Sequence, residues 1–187
     1  ATGEILGVVG PSGSGKTTML KLITGIVIPD AGTVAVAEGA VGYVFQEPRL
    51  LPWRTALDNV AGPLRAQGND KAGARAAAAG WLERVGLAGF EGYHPAELSG
   101  GMAQRVSVAR AFAVEPRILL LDEPFSSVDT TLKSSLMDIL ESIIRERRTT
   151  VMYVTHDLGE ARRLADRIVE IVPGCGVRRF QERVAGR

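Results

Sequence analysis

Residues Gly10–Thr17 have the sequence GPSGSGKT. This stretch lies between apolar residues, Glu4–Val9, that predict a buried strand and residues Lys16–Thr24, whose periodicity predicts a helix. Glycines, a lysine and a threonine in this order are typical there of a loop whose backbone N–H groups bind phosphate. A Gly- and Ser-rich turn without a ligand is the alternative. The predicted nucleotide-binding residues are those of this stretch, Gly10, Pro11, Ser12, Gly13, Ser14, Gly15, Lys16 and Thr17, and the adjoining Thr18.

Short β-rich stretches alternate with helical patterns along the chain, which predicts an α/β fold with a mostly parallel sheet. The predicted strands are Glu4–Val9, Thr33–Ala37, Val41–Phe45, Arg117–Leu121, Thr149–Thr155 and Arg167–Val172. The predicted helices are Lys16–Thr24, Thr55–Val85 with a break at Gly68-Asn69, Met102–Val114, Leu132–Arg147 and Leu158–Ala165. The tail beyond Pro173 is predicted to be irregular. We predict a core lobe, residues 1–54 and 97–187, and an Ala-rich helical lobe, residues 55–96.

The composition excludes several classes of protein. With 187 residues, 45% of them hydrophobic, the chain can bury a core. A formal net charge of +1 provides no basic surface for nucleic acid. The single Cys175 predicts no intrachain disulfide and a reducing compartment. The longest aliphatic stretch, Ile118–Leu121, is far shorter than the ~20 residues of a membrane span, and no signal peptide is expected.

Two carboxylates end the apolar stretch ILLLDE, Ile118–Glu123. Because side chains alternate along a strand, Asp122 and Glu123 face different directions and suit different roles. With Thr17, Asp122 is suited to hold Mg²⁺, and Glu123 is suited to polarise the water that attacks a γ-phosphate. Lys16 would reach the β- and γ-phosphates. Acidic residues that only end a strand and begin a turn are the alternative, which Pro124 favours.

Four further motifs follow in a definite order. Gln46 comes after a predicted strand, LSGGM occupies Leu98–Met102, SSVD occupies Ser126–Asp129, and His156 follows another predicted strand. Each has a simpler interpretation by itself: a surface amide, helix caps at Ser99 and Asp129, and a packed histidine. In this order, and with the two motifs above, the set resembles the nucleotide-binding subunit of ABC transporters across essentially the whole chain.

The resemblance implies a P-loop NTPase core of the RecA-like type with a helical lobe, an ATPase that uses ATP and Mg²⁺, and a homodimer that buries two ATP molecules. The segment Ser99, Gly100 and Gly101 would contact the γ-phosphate bound by the other subunit, and Asp129 would organise that opposite site. Gln46 would sense the metal and the attacking water. His156 would hold the γ-phosphate. Met102 stands where the family most often has Gln.

The sequence FQEPRLLPW, Phe45–Trp53, has a finer resemblance to ATPase subunits of bacterial importers for nitrate, sulfonates and taurine. It implies a peripheral protein on the cytoplasmic face of the inner membrane, energising a permease for a small solute and linked indirectly to a solute-binding protein. A cytoplasmic helix of that permease would dock on Arg49, Leu50, Leu51 and Trp53 and on the helical lobe. Packing of Leu51 and Trp53 under the helical lobe is the alternative.

Two departures from the family concern the front of the chain. The chain starts fifteen residues before Lys16, so the N-terminal antiparallel strands and their adenine-stacking aromatic residue are predicted to be missing. The stretch between Gly25 and Gln46 is also shorter than usual in the family. Two other functions stay open: a soluble ABC-type ATPase of DNA repair or translation, and a truncated binding module that does not hydrolyse ATP.

Overall fold

One mixed sheet and the helices on its two faces make up the fold. The computed structural model describes residues 3–126, 128, 130–173 and 176–181. The strands in these residues are β1 (Ile5–Val9), β2 (Val41–Val44), β3 (Ile118–Asp122), β4 (Thr150–Thr155), β5 (Arg167–Val172) and β6 (Gly176–Gln181). The helices are α1 (Lys16–Ile23), α2 (Ala56–Ala66), α3 (Lys71–Arg84), α4 (Gly100–Ala113), α5 (Thr130–Arg147) and α6 (Leu158–Leu164), with a 3₁₀ turn at Pro95–Glu97.

The strands lie in the order β2-β3-β4-β1-β5-β6. Each neighbouring pair from β2 to β5 is parallel, and only β6 runs antiparallel to its neighbour β5 among the described strands. The register pairs Val9 with Thr155 and Asp122 with Val154. The carboxyl ends of β1, β3 and β4 therefore lie side by side at one edge of the sheet.

Side chains of the central strands alternate between two apolar layers. In β3, Leu119 and Leu121 belong to the larger layer, whereas Leu120 belongs to the smaller one. Helices α4, α5 and α6 contribute to the larger layer, and α1 covers the smaller layer through Leu20. Strands buried on both faces read as continuous apolar stretches. This explains why ILLL in β3 could be recognised in the sequence.

Helices α2, α3 and α4 pack on one another. Each begins after a side chain that accepts a hydrogen bond from a backbone N–H of its first turn, namely Thr55, Asp70 and Ser99. Such caps satisfy N–H groups that have no partner inside the helix. Trp81 of α3 stacks on Phe112 of α4, with ring centroids 5.7 Å apart. The division of the chain into a core lobe and a helical lobe stays a prediction.

The predicted strand Thr33–Ala37 is wrong. These residues lie outside the sheet and are exposed. Alternating valines favour a strand, but a strand is stable only where a neighbour completes its hydrogen-bonded ladder. Val34 and Val36 instead line an apolar cavity of about 260 Å³ beside the smaller layer.

The prediction of an irregular tail beyond Pro173 is also wrong for part of that tail. Residues Gly176–Gln181 form β6 and pair with β5, with Val177 opposite Ile171. Without β6, the backbone of β5 would have an unpaired edge on the side away from β1. In the helices, α4 begins at Gly100, earlier than the predicted Met102, and α2 and α3 are separated near the predicted break.

Gly42 of β2 provides a test of the packing between the sheet and α4. A Cβ at this position would lie 2.6 Å from the carbonyl oxygen of Ala111 and 3.0 Å from Cδ1 of Leu119. Because the nearest atom belongs to helical backbone, Gly42→Ala should lower the free energy of unfolding by about 1–3 kcal/mol, measured by urea denaturation.

Gly80→Ala is the matched control. Gly80 lies in α3, and a Cβ there would meet nothing within 4 Å. Alanine favours helix over glycine by about 1 kcal/mol, so this variant should be as stable as the wild type or more so. Equal stability of Gly42→Ala and Gly80→Ala would contradict the close packing.

Candidate functional site

The connection from β1 to α1 has the geometry of an anion-binding loop. Gly15 precedes α1 with φ 95° and ψ 7°, a left-handed conformation that favours glycine. The first N–H groups of a helix have no partner within the helix. In the described part of the chain, no side chain caps the start of α1 by accepting a hydrogen bond from them. These N–H groups and the positive end of the helix dipole favour an anion.

Lys16 supplies the cation of this loop. Its side chain is 5% exposed, and its Nζ donates to the carbonyl oxygens of Gly10 (2.9 Å) and Pro11 (3.0 Å). The same nitrogen lies 3.6 Å from Oε1 of Glu123. Because backbone carbonyl oxygens hold this buried ammonium in place, its positive charge can pair with an anionic ligand in the loop.

An open cavity of about 320 Å³ adjoins the loop. It collects residues from three of the predicted motifs: the loop itself, Gln46 and Glu123. The lining residues are Ser12, Gly13, Gly15, Lys16, Thr17, Thr18, Gln46 and Glu123. A cavity lined by loop backbone, hydroxyls, one cation and one carboxylate suits a phosphate chain and a reacting water.

Asp122 lies behind the cavity and is 6% exposed. Its Oδ1 accepts a hydrogen bond from the Thr17 hydroxyl, and its Oδ2 accepts one from the Tyr43 hydroxyl, each at 3.0 Å. Burial and the negative charge of Asp122 raise the pKa of Tyr43, so the phenol stays protonated and donates. The sequence analysis missed Tyr43, because its proximity to Asp122 depends on the pairing of β2 with β3.

The Thr17–Asp122 pair fits Mg²⁺. Mg²⁺ prefers oxygen ligands and is held by one or two carboxylates with substrate phosphates and waters. The described residues contain no group of three or more His, Cys, Asp or Glu arranged for a metal. A hydroxyl and one carboxylate beside a loop that suits phosphate are the oxygen ligands that such a phosphate-assisted site would need.

Glu123 lies between a cation and an imidazole. Its Oε2 is 2.9 Å from Nδ1 of His156, and its Oε1 faces Lys16. Glu123 has a φ of 45°, which is uncommon for a residue with a side chain. Its backbone N–H donates to Val154 of β4, which holds the unusual conformation.

A partly buried ionic network lies at the end of β4, next to His156, and the sequence analysis missed it. Glu160 of α6 accepts hydrogen bonds from Tyr153 and from Thr155 (2.7 Å) and forms an ion pair with Lys133 of α5. Burial alone would lower the pKa of Lys133, but the hydrogen bond and charge of Glu160 outweigh it, so the pKa is raised. The network fixes the end of β4 and therefore the position of His156.

The LSGGM segment lies apart from the cavity. Ser99 caps α4 by accepting a hydrogen bond from the N–H of Met102 (3.2 Å). Ser99 and Gly100 are exposed and Gly101 is buried. The cavity lining within the described residues includes none of these three. Asp129 lies outside the described residues.

The segment after β2 is fastened to the helices through its backbone. Gln104 and Arg110 of α4 donate to carbonyl oxygens of Phe45, Pro48 and Arg49 at 2.8–3.2 Å. Asn59 of α2 exchanges two hydrogen bonds with the backbone of Leu51, at 2.7 and 3.2 Å.

The apolar side chains of this segment differ in their exposure. Leu50 packs against the larger apolar layer. Leu51 is 44% exposed and Trp53 is 70% exposed. The backbone contacts therefore hold two large apolar side chains in solvent rather than under the helices.

Comparison with known proteins places this geometry in a family. The family model described as ABC transporter matches residues 1–126. The chain belongs to the ABC transporter family. It is 44% identical over 183 residues to the taurine import ATP-binding protein TauB of Yersinia pestis bv. Antiqua (strain Antiqua). The matched region covers 94% of this chain and 72% of that protein.

Two other relatives have a similar likeness. The formylaminopyrimidine import ATP-binding protein ThiZ of Halalkalibacterium halodurans is 45% identical over 166 residues, covering 88% of this chain and 67% of that protein. The aliphatic sulfonates import ATP-binding protein SsuB 2 of Burkholderia lata is 44% identical over 186 residues, covering 94% of this chain and 66% of that protein.

A solved structure extends the likeness to the fold. The dimeric ATP-binding cassette MJ0796, in a post-hydrolysis state bound to ADP and Pi, matches with a TM-score of 0.85 and 32% identity over 97% of this chain and 87% of that chain. The predicted ABC family, the P-loop α/β fold and the ATPase class are confirmed. Among the described helices, none combines the length and the apolar character that crossing a membrane requires.

Proposed function

We propose that this chain is the ATP-hydrolysing subunit of an importer for a small solute, working as two copies bound to a membrane permease. One observation carries the proposal: Glu123 lines the cavity and contacts both Lys16 and His156, although the three residues come from distant parts of the sequence. Cation, base and imidazole are thus joined next to the Thr17–Asp122 pair. Such a set suits phosphoryl transfer to water.

Phosphate binding is the first step that these residues support. Residues of the loop and of the start of α1 line the cavity, and Lys16 is held there by two carbonyl oxygens. In the proposed complex, Lys16 pairs with the β- and γ-phosphates of ATP. Bound Mg²⁺, held by Thr17, Asp122 and Gln46, would neutralise charge on the same phosphates.

Water activation is assigned to Glu123. Its carboxylate lines the cavity and is 16% exposed, so water can reach it while most of its surface is shielded. Glu123 accepts a proton from the attacking water as the water oxygen bonds to the γ-phosphorus. The bond from the γ-phosphorus to the β–γ bridging oxygen breaks in the same displacement, so that ADP is the leaving group. His156 uses Nδ1 on Glu123, which leaves Nε2 for the γ-phosphate.

Glu123→Gln should slow ATP hydrolysis about 100-fold or more, because an amide cannot accept the proton of water. The substitution keeps the size of the side chain, so a dimer with ATP bound should persist. Phosphate release measures the rate, and gel filtration with ATP measures the dimer.

Glu115→Gln is the control for charge removal. Glu115 is exposed and pairs with Arg147 outside the cavity, so its variant should hydrolyse ATP at the wild-type rate. Wild-type turnover of Glu123→Gln would contradict the assignment of the base.

A second copy completes the site in this proposal. Ser99 and Gly100 present an exposed helix N-terminus, away from the cavity of their own chain. Because helix N-termini favour anions, the segment with Gly101 is proposed to bind the γ-phosphate held by the partner copy. Asp129 is proposed to act across the same interface. The dimeric state of MJ0796 supports this arrangement.

The permease contact is proposed for Arg49, Leu50, Leu51 and Trp53. Leu51 and Trp53 are large, apolar and exposed, although backbone hydrogen bonds hold their loop. Exposed apolar groups on a fixed loop suit a protein partner. The names of the relatives, import ATP-binding proteins for taurine and aliphatic sulfonates, support attachment of this chain to an integral membrane permease at the cytoplasmic face of the inner membrane, and a solute of that type. A solute-binding protein would act through the permease.

Trp53→Ala should weaken association with the permease by about 2 kcal/mol or more, as expected for a buried aromatic anchor. ATP affinity of the isolated chain should not change, because Trp53 lies outside the cavity lining. Co-purification from membranes measures the first quantity and equilibrium dialysis measures the second.

Ile28→Ala is the matched control, since Ile28 is 85% exposed and lies outside this loop. It should leave co-purification unchanged. If Trp53→Ala co-purified as well as Ile28→Ala, the docking proposal would be wrong.

A further inference from the structure

The hydroxyl of Tyr43 contacts Asp122, the carboxylate proposed to hold Mg²⁺. Strands β2 and β3 are parallel neighbours, with Tyr43 opposite Leu120. Side chains alternate along a strand, so Tyr43 and Asp122 lie on the face of the smaller apolar layer with Leu120. The hydroxyl reaches Oδ2 of Asp122 at 3.0 Å.

Neighbouring groups hold the phenol ring in place. The ring stacks on Phe45, with centroids 4.1 Å apart and planes at 21°. The guanidinium of Arg49 lies 4.5 Å from the centroid of Phe45. A stacked ring cannot swing away easily, so the hydroxyl is presented to Asp122 from a fixed direction.

The two oxygens of Asp122 thus receive one donor each. Thr17 donates to Oδ1 and Tyr43 donates to Oδ2. Two donors on opposite oxygens fix the rotation of the carboxylate about its last bond. An ionised carboxylate has about four sites for hydrogen bonds, so each oxygen keeps a site for a water on a metal. A carboxylate with one donor would retain that rotation.

We propose that Tyr43 is a positioning residue for Mg²⁺ binding: its hydroxyl orients Asp122 without touching the metal. This inference rests on the proposed role of Asp122. Hydrogen-bond partners of metal-site residues commonly affect metal affinity 10- to 100-fold. Tyr43 is part of β2, which leads to Gln46 and to the segment proposed to contact the permease. Through Phe45 and Arg49, the carboxylate of Asp122 is thereby linked to that segment.

The test is Tyr43→Phe, which keeps the stacked ring and removes only the hydroxyl. ADP affinity is measured by calorimetry in chelator and over a series of Mg²⁺ concentrations. In chelator, ADP should bind as tightly as to the wild type, because Tyr43 does not line the cavity. The Mg²⁺ concentration that produces half of the metal-dependent increase in ADP affinity should rise about tenfold or more.

Tyr93→Phe is the matched control. Tyr93 is 42% exposed and stacks edge-on against Phe90, away from Asp122. Its variant should show the Mg²⁺ dependence of the wild type. In an Asp122→Asn background, Tyr43→Phe should cause no additional loss, since the group that it positions is gone.

Three results would overturn the proposal. A Mg²⁺ titration of Tyr43→Phe that matches the wild type would show that the hydroxyl only fills space. A full additional loss in the Asp122→Asn background would show that Tyr43 acts elsewhere. Absence of any Mg²⁺ effect on wild-type ADP binding would remove the metal role of Asp122 itself, which distinguishes failure of the proposed function from failure of the Tyr43 inference.

Discussion

Parallel pairing of β2, β3, β4 and β1 is the constraint that places every candidate catalytic group. Strands that run in one direction bring their carboxyl ends to one edge, where α/β folds bind ligands. The glycine-rich loop follows β1, Gln46 follows β2, Glu123 follows β3 and His156 follows β4. An antiparallel neighbour between these strands would have sent one of these groups to the opposite edge. The single antiparallel pair among the described strands, β5 with β6, lies outside this set.

Local arrangement rather than overall charge would account for the proposed binding of phosphate. The chain has a formal net charge of only +1, yet the cavity combines a buried ammonium, that of Lys16, with the N-terminus of α1. Low exposure strengthens these interactions, because water screens a buried charge less. The carboxylates of Asp122 and Glu123 are each held by donors or a cation, so negative charge can remain beside a site for phosphates.

The sequence predicted the site residues that lie within or directly after a recognisable strand pattern. GPSGSGKT and ILLLDE combine a strand pattern with residues at its end, and parallel strands then bring Lys16, Asp122 and Glu123 together. Tyr43 and Lys133 could not be found that way, because their partners, Asp122 and Glu160, become neighbours only through sheet order and helix packing. The Thr33–Ala37 error has the same origin, since alternation alone does not supply a neighbouring strand.

Binding of ATP to Lys16→Ala tests the central claim most directly, namely that the triphosphate is held at this edge of the sheet. Equilibrium dialysis should show ATP affinity reduced about 10- to 100-fold, the value of a hydrogen bond to a charged group. Lys21→Ala, in the last turn of α1 and outside the cavity lining, should bind ATP as the wild type does. Unchanged ATP affinity of a folded Lys16→Ala would contradict the account.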